Sequence, residues 1–153
     1  MDRAIDGELL RLVEQSVWAN RRWIDFVYAR PDPETRPREL LSHVIFGERV
    51  WFERIAGEQA TRATFLDLGK DELLRGLEEN RRTYRALIAS RLDDVIHFTR
   101  ASGEAYHARV VDIVLHLLTH GYHHRGQLAA HYARAGGPYP GTDHIDYLIE
   151  NRL

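Results

Sequence analysis

Val110-Val111-Asp112-Ile113-Val114-Leu115-His116-Leu117-Leu118-Thr119-His120-Gly121-Tyr122-His123-His124-Arg125-Gly126-Gln127-Leu128-Ala129 is the longest apolar-rich run of the chain. Val111, Val114, Leu115, Leu117, Leu118 and Leu128 recur at the three- and four-residue spacing of one helix face. Gly136-Gly137-Pro138 stops the pattern, so the spacing predicts a helix from Val110 to about Ala135.

Working outward, the same period appears in three earlier segments. Ile5, Leu9, Leu12, Val13, Ser16, Asn20, Ile24 and Val27 line one face from Asp2 to about Ala29, and Pro31, Pro33 and Pro37 break it. A second helix is expected from near Pro37 to Gly57, through Leu40, Leu41, His43, Val44, Gly47, Val50, Trp51 and Ile55. Residues 58–70 read as a looser connector containing Phe65 and Leu68. A third helix is expected from Asp71 to about Ser90, with Gly76 as its weak point, since glycine costs ~1 kcal/mol against alanine inside a helix.

The texture then changes. Val95-Ile96-His97-Phe98-Thr99 and Tyr106-His107-Ala108-Arg109-Val110 flank Ser102-Gly103-Glu104, the pattern of a short β-hairpin. After the fourth helix, Ile145–Ile149 is expected to make a short helical turn. Four long helices with short connectors predict an all-α four-helix bundle, with the hairpin between the third and fourth helices and residues 1–153 as a single domain.

Composition narrows the chemistry. The absence of cysteine removes disulfides, thiolate metal sites and a cysteine nucleophile together. A formal net charge of −2 and basic doublets only at Arg21-Arg22 and Arg81-Arg82 argue against direct nucleic-acid binding. No stretch approaches the ~18 apolar residues of a membrane span, and the polar N-terminus lacks a signal-peptide core, so a cytoplasmic protein is expected.

Histidine is the unusual entry: five of the nine lie between positions 116 and 131. Residues four apart are ~40° apart around a helix axis and ~6 Å along it. The imidazoles of His120 and His124 can therefore point at one divalent ion. Glycine at 121 stands where a zinc protease would carry its glutamate, which disfavours that reading. A third donor must come from another helix, and His43, in the apolar run Leu40–Phe46, is the best candidate. The bland alternative stays open at this point: a lone histidine among apolar residues is commonly a hydrogen-bonded core residue. His123 should face solvent, and His97, His107 and His144 have no metal spacing. Trp18, Trp23, Trp51 and Tyr122 read as core or interface residues.

The run Leu115–Leu128, in which His120 and three further residues precede His124-Arg125-Gly126-Gln127, resembles the signature of the DinB family of metal-binding bundles. Ser42–Phe52 is similar to that family's second helix, and the tail from Gly136-Gly137-Pro138 to Asp146-Tyr147-Leu148 fits as well. The resemblance implies a four-helix bundle with an open three-histidine site for one divalent metal ion, nickel, zinc or iron, and a homodimer. The ligands it implies are His43, His120 and His124. His116 would support the site without binding the ion, and Arg125 and Gln127 would anchor the tail through Asp143 or Asp146. Open coordination positions suit a metal-dependent transferase or hydrolase. Relatives use low-molecular-weight thiols, so a thiol S-transferase or isomerase with a small-molecule substrate is one expectation. A non-catalytic metal-binding or stress protein is the alternative. Glu48 and Asp112 carry no distinctive claim as a base, so no catalytic acid or base is named.

Overall fold

The computed structural model describes residues 3–58, 60, 62–100 and 102–153. Helices α1 (Arg3–Tyr28), α2 (Thr35–Ile55) and α3 (Lys70–Ser90) precede a hairpin of β1 (Val95–Thr99) and β2 (Ala105–Arg109). Helix α4 (Val110–Arg134) and the short α5 (His144–Asn151) follow. The expected bundle and hairpin are present, and among the described residues no helix is long and apolar enough to cross a membrane.

The packing order follows from which helices touch. Helix α1 packs on α3, α3 on α2, α2 on α4 and α4 on α1, so the cyclic order is α1, α3, α2, α4. Burial of apolar surface is the force that holds this ring, and it is divided between two clusters. One cluster contains Leu9 and Val13 of α1, Ile55 of α2, Tyr84, Leu87 and Ile88 of α3, and Val110, Val114 and Leu117 of α4. The other contains Trp23, Ile24 and Val27, then Leu40, Leu41 and Ile45, then Leu73 and Leu77, then Leu128 and Tyr132.

The order of the clusters along each helix fixes the topology. Helices α1 and α4 run from the first cluster to the second, whereas α2 and α3 run from the second to the first. Consecutive helices α2 and α3 are therefore parallel, and residues 56–69 must return the length of a helix. A 21-residue helix is about 31 Å long, within reach of an extended connector of that size. This returning strap crosses the groove between α2 and α4 and contributes to the site described below.

Gly76 has a packing reason. A Cβ there would lie 2.9 Å from Ile45 Cγ2, so glycine lets α3 approach α2 closely. In the hairpin, His97 sits opposite His107, and Ile96, Phe98 and Ala108 turn inward while their neighbours face out. The tail returns to α1: Gln15 Nε2 donates to Thr142 O at 3.0 Å, Trp23 Nε1 to Thr142 Oγ1 at 3.2 Å, and Arg22 pairs with Glu150.

Candidate metal centre

Helix α4 carries His120 and His124 one turn apart, on the side that faces α2, and α2 presents His43 across the groove. One ring nitrogen from each of the three lies within 4.8 Å of the others. His120 Nε2 and His124 Nε2 are 3.0 Å apart. Two nitrogens each about 2.1 Å from one ion, at a right angle, would be separated by about 3.0 Å, so this pair is spaced as neighbouring ligands.

The outer nitrogens are held by the chain. His124 Nδ1 is 2.8 Å from Gln127 Oε1, an atom that only accepts, so Nδ1 carries the proton and Nε2 offers its lone pair. His43 Nδ1 is 2.7 Å from Thr64 Oγ1, which directs the ring's other nitrogen to the cluster. Phe65 stacks on the His43 ring at 3.9 Å between centroids. Such outer partners fix ring orientation and tautomer. Thr64 and Phe65 lie on the strap, whose sequence has no periodicity to reveal them. Gln127 belongs to the His-Arg-Gly-Gln run, and it orients His124 rather than the tail.

Burial lowers the basicity of all three rings. His43 is held down to about 4, by desolvation first and then by the neighbouring His124 and Arg36 charges. His120 is held down to about 4, again by desolvation, with His124, His43, His116 and His123 adding repulsion. His124 is lowered by desolvation, against the opposing effect of the hydrogen bond it donates to Gln127. Neutral imidazole is the metal-binding form, so protons compete weakly at neutral pH. The donor set thus fits a divalent transition ion.

A cavity of about 270 Å³ opens onto His43 and His120. Gly47, Val50, Trp51, Thr64 and Leu117 wall it, with Arg54 and Arg62 at its edge. A larger hollow of about 540 Å³ under the hairpin shares Trp51 and includes Phe98, Tyr106 and His116. With both the donors and the cavity in place, comparison with known proteins is informative. The DinB family model matches residues 8–152. The chain belongs to the DinB family. No curated protein matches the sequence.

The remaining expectations divide. His116 is exposed and touches the site only through ring contacts with Trp51 at 5.5 Å and His120 at 5.7 Å. His123 is exposed as expected, and Asp112 pairs with Arg109 away from the histidines. The tail-anchoring role of Arg125 and Gln127 is overturned. One residue beyond His124 is about 100° further round the helix, so Arg125 faces α1 instead. Its Nη1 donates to Asn20 Oδ1 at 2.9 Å, and its guanidinium lies over the Tyr122 ring at 4.5 Å. Gly121 makes room for it, since a Cβ there would be 3.0 Å from Arg125 Nη1. Gln127 holds His124, and Asp146 Oδ2 accepts from the Asp143 backbone N–H at 3.2 Å, within the tail itself.

Glu48 points into the core, away from the cavity. Tyr84 Oη donates to its Oε1 at 2.9 Å and Asn80 Nδ2 to its Oε2 at 2.7 Å. Desolvation pushes its carboxyl up to about 7, against those two bonds and the attraction of Arg125.

Proposed function

We propose that this DinB-family chain is a metal-dependent enzyme in which His43, His120 and His124 hold one divalent ion, and that its reaction is transfer of a low-molecular-weight thiol. The observation that carries the reading is the cavity of about 270 Å³ reaching two of the three histidines. A purely structural ion would be enclosed by side chains, whereas a catalytic one keeps an accessible side.

When bound, the ion supplies Lewis-acid chemistry, lowering the pKa of a thiol or water and polarising an oxygen. The chain's own residues do the rest. Burial keeps His43, His120 and His124 neutral, while Thr64 aims the His43 ring and Gln127 the His124 ring. Val50, Trp51 and Leu117 supply the apolar part of the cavity wall, beside the polar Arg54, Arg62 and Thr64. No carboxylate lines the cavity among the described residues. Hydrolysis needs a base to take a proton from water, so this lining favours a nucleophile that ionises readily. A thiol has that property, and the cysteine-free chain would take it from a cosubstrate.

The test is turnover of an electrophile with each of several cellular thiols, using protein loaded in turn with nickel, zinc and iron. We expect one pairing to outrun the uncatalysed reaction and to lose that advantage in His124→Ala. Metal-loaded protein no faster than free thiol in every pairing would favour the non-catalytic alternative.

A further inference from the structure

We propose that Arg54 gives the cavity its specificity, by anchoring a carboxylate on the substrate while the other end of that molecule reaches the histidines. The inference rests on the metal-enzyme reading above and names the substrate class.

Charge is the first argument. Three neutral imidazoles bring no negative charge, so a divalent ion there keeps its full positive charge. The lining of the cavity adds two guanidinium groups and no carboxylate among the described residues. A cleft lined by one sign of charge concentrates ligands of the opposite sign, so an anionic ligand is favoured over a neutral one of the same shape.

The two arginines differ in availability. Arg62 is paired with Glu53, which takes up its charge. Arg54 has no carboxylate partner among the described residues. Its guanidinium lies over the Trp51 ring at 4.7 Å and near the Phe98 ring at 5.9 Å. Stacking of this kind restrains the planar fork while leaving its N–H edge free for a bidentate carboxylate. Both rings also wall the hollow under the hairpin, so Arg54 stands where the two spaces meet.

Size restricts the ligand further. A volume of about 270 Å³ is at the small end of ligand pockets, which suits a compact acid.

The experiment uses the full chain loaded with cobalt(II), whose visible absorption reports a coordinated thiolate. Two probes are compared, 3-mercaptopropionate and its neutral isostere 3-mercaptopropionamide. In the wild type the acid should bind about tenfold tighter than the amide. Arg54→Gln should reduce that preference to within about twofold, leaving cobalt stoichiometry and amide affinity unchanged, and Arg54→Lys should restore part of it. Equal binding of both probes by the wild type would overturn the proposal, as would a preference that survives Arg54→Gln or disappears only in Arg62→Gln. A second measurement needs no metal: the indole N–H resonance of Trp51 should shift with propionate but not with propionamide, and should stop responding in Arg54→Gln. Failure of cobalt to bind would defeat the metal reading and leave this arm to decide the role of Arg54. An indole resonance indifferent to both compounds would defeat the Arg54 assignment even with cobalt bound.

Discussion

Two polar clusters lie at the waist of the bundle, on different sides of α4. His43, His120 and His124 face the groove under the strap, while Glu48, Asn80, Tyr84, Arg125 and Asn20 fill a layer between the two apolar clusters. Both are buried or half-buried and both perturb the basicity of their members. They differ in where their lone pairs go. In the core layer each carboxylate oxygen of Glu48 accepts from a named donor, and Asn20 Oδ1 accepts from Arg125. In the histidine cluster the outer nitrogens of His43 and His124 are engaged, and the inner nitrogens converge on one another beside a cavity. Perturbed ionisation alone therefore does not mark a site; a surplus of convergent lone pairs does.

The sharpest way to break the comparison is to remove one member of each cluster. Loss of an outer partner of a metal-bound histidine typically costs 10–100-fold in affinity, so loss of a ligand should cost on the order of a thousandfold or more. His124→Ala should thus emerge from gel filtration with almost no metal, while wild type carries about one ion per chain. Metal analysis showing equal occupancy would refute the ligand assignment. Arg125→Met should do the reverse. It should keep the metal and lose about 3 kcal/mol of unfolding free energy at pH 8, because Glu48 and Asn20 would lose their cationic neighbour in the core. Urea denaturation gives that value, and an unchanged midpoint would mean the layer is energetically idle.

Much of this layout was legible before any coordinates. Helical periodicity locates all four long helices, since each buries one face, and it also puts Ser16 and Asn20 on the buried face of α1. The His120–His124 pair is legible from its i, i+4 spacing, and His43 from the likeness of its helix to the family's second helix; their ring nitrogens do converge. The rest depended on pairings between distant segments. Glu48 carries no distinctive claim in the sequence, because its partners Asn80 and Tyr84 come from another helix. Thr64 and Phe65 lie on a strap with no period, and their role exists only because parallel α2 and α3 force the chain across the groove. Arg125 follows His124 directly in the chain, yet the 100° turn per residue carries it to the neighbouring face, against Asn20 of α1.

A smaller effect tests whether Glu48 is held near neutrality. Its carboxyl is raised from 4.5 to about 7, so the folded state binds this proton more tightly than the unfolded chain. That contribution to stability is fully present below about pH 4.5 and is lost as pH rises through 7. Glu48→Gln has no such proton. Between pH 5 and 8 the wild type should therefore lose on the order of 2 kcal/mol relative to Glu48→Gln, with the histidines cancelling because both proteins contain them. Parallel stability curves in urea would show that the core layer titrates normally.

The smallest expected effect concerns the boundary between the two clusters, where Gln127 serves the metal side alone. Its Oε1 accepts from His124 Nδ1, and its Nε2 lies 3.2 Å from His123 Nε2 at the exposed edge. Gln127→Ala removes the acceptor that fixes the His124 tautomer, so metal affinity should fall by about tenfold, at the low end for such partners. Stability of the metal-free protein should barely change, because Gln127 is exposed and touches nothing in the core layer. Gln127→Glu should recover the affinity or exceed it, since a carboxylate in the same place accepts the same N–H and makes the imidazole a better donor. Competition against a chromophoric chelator measures all three. If alanine and glutamate bind metal equally, His124 is oriented by its packing alone. The contrast between the histidine cluster and the core layer would then rest on the inner nitrogens alone.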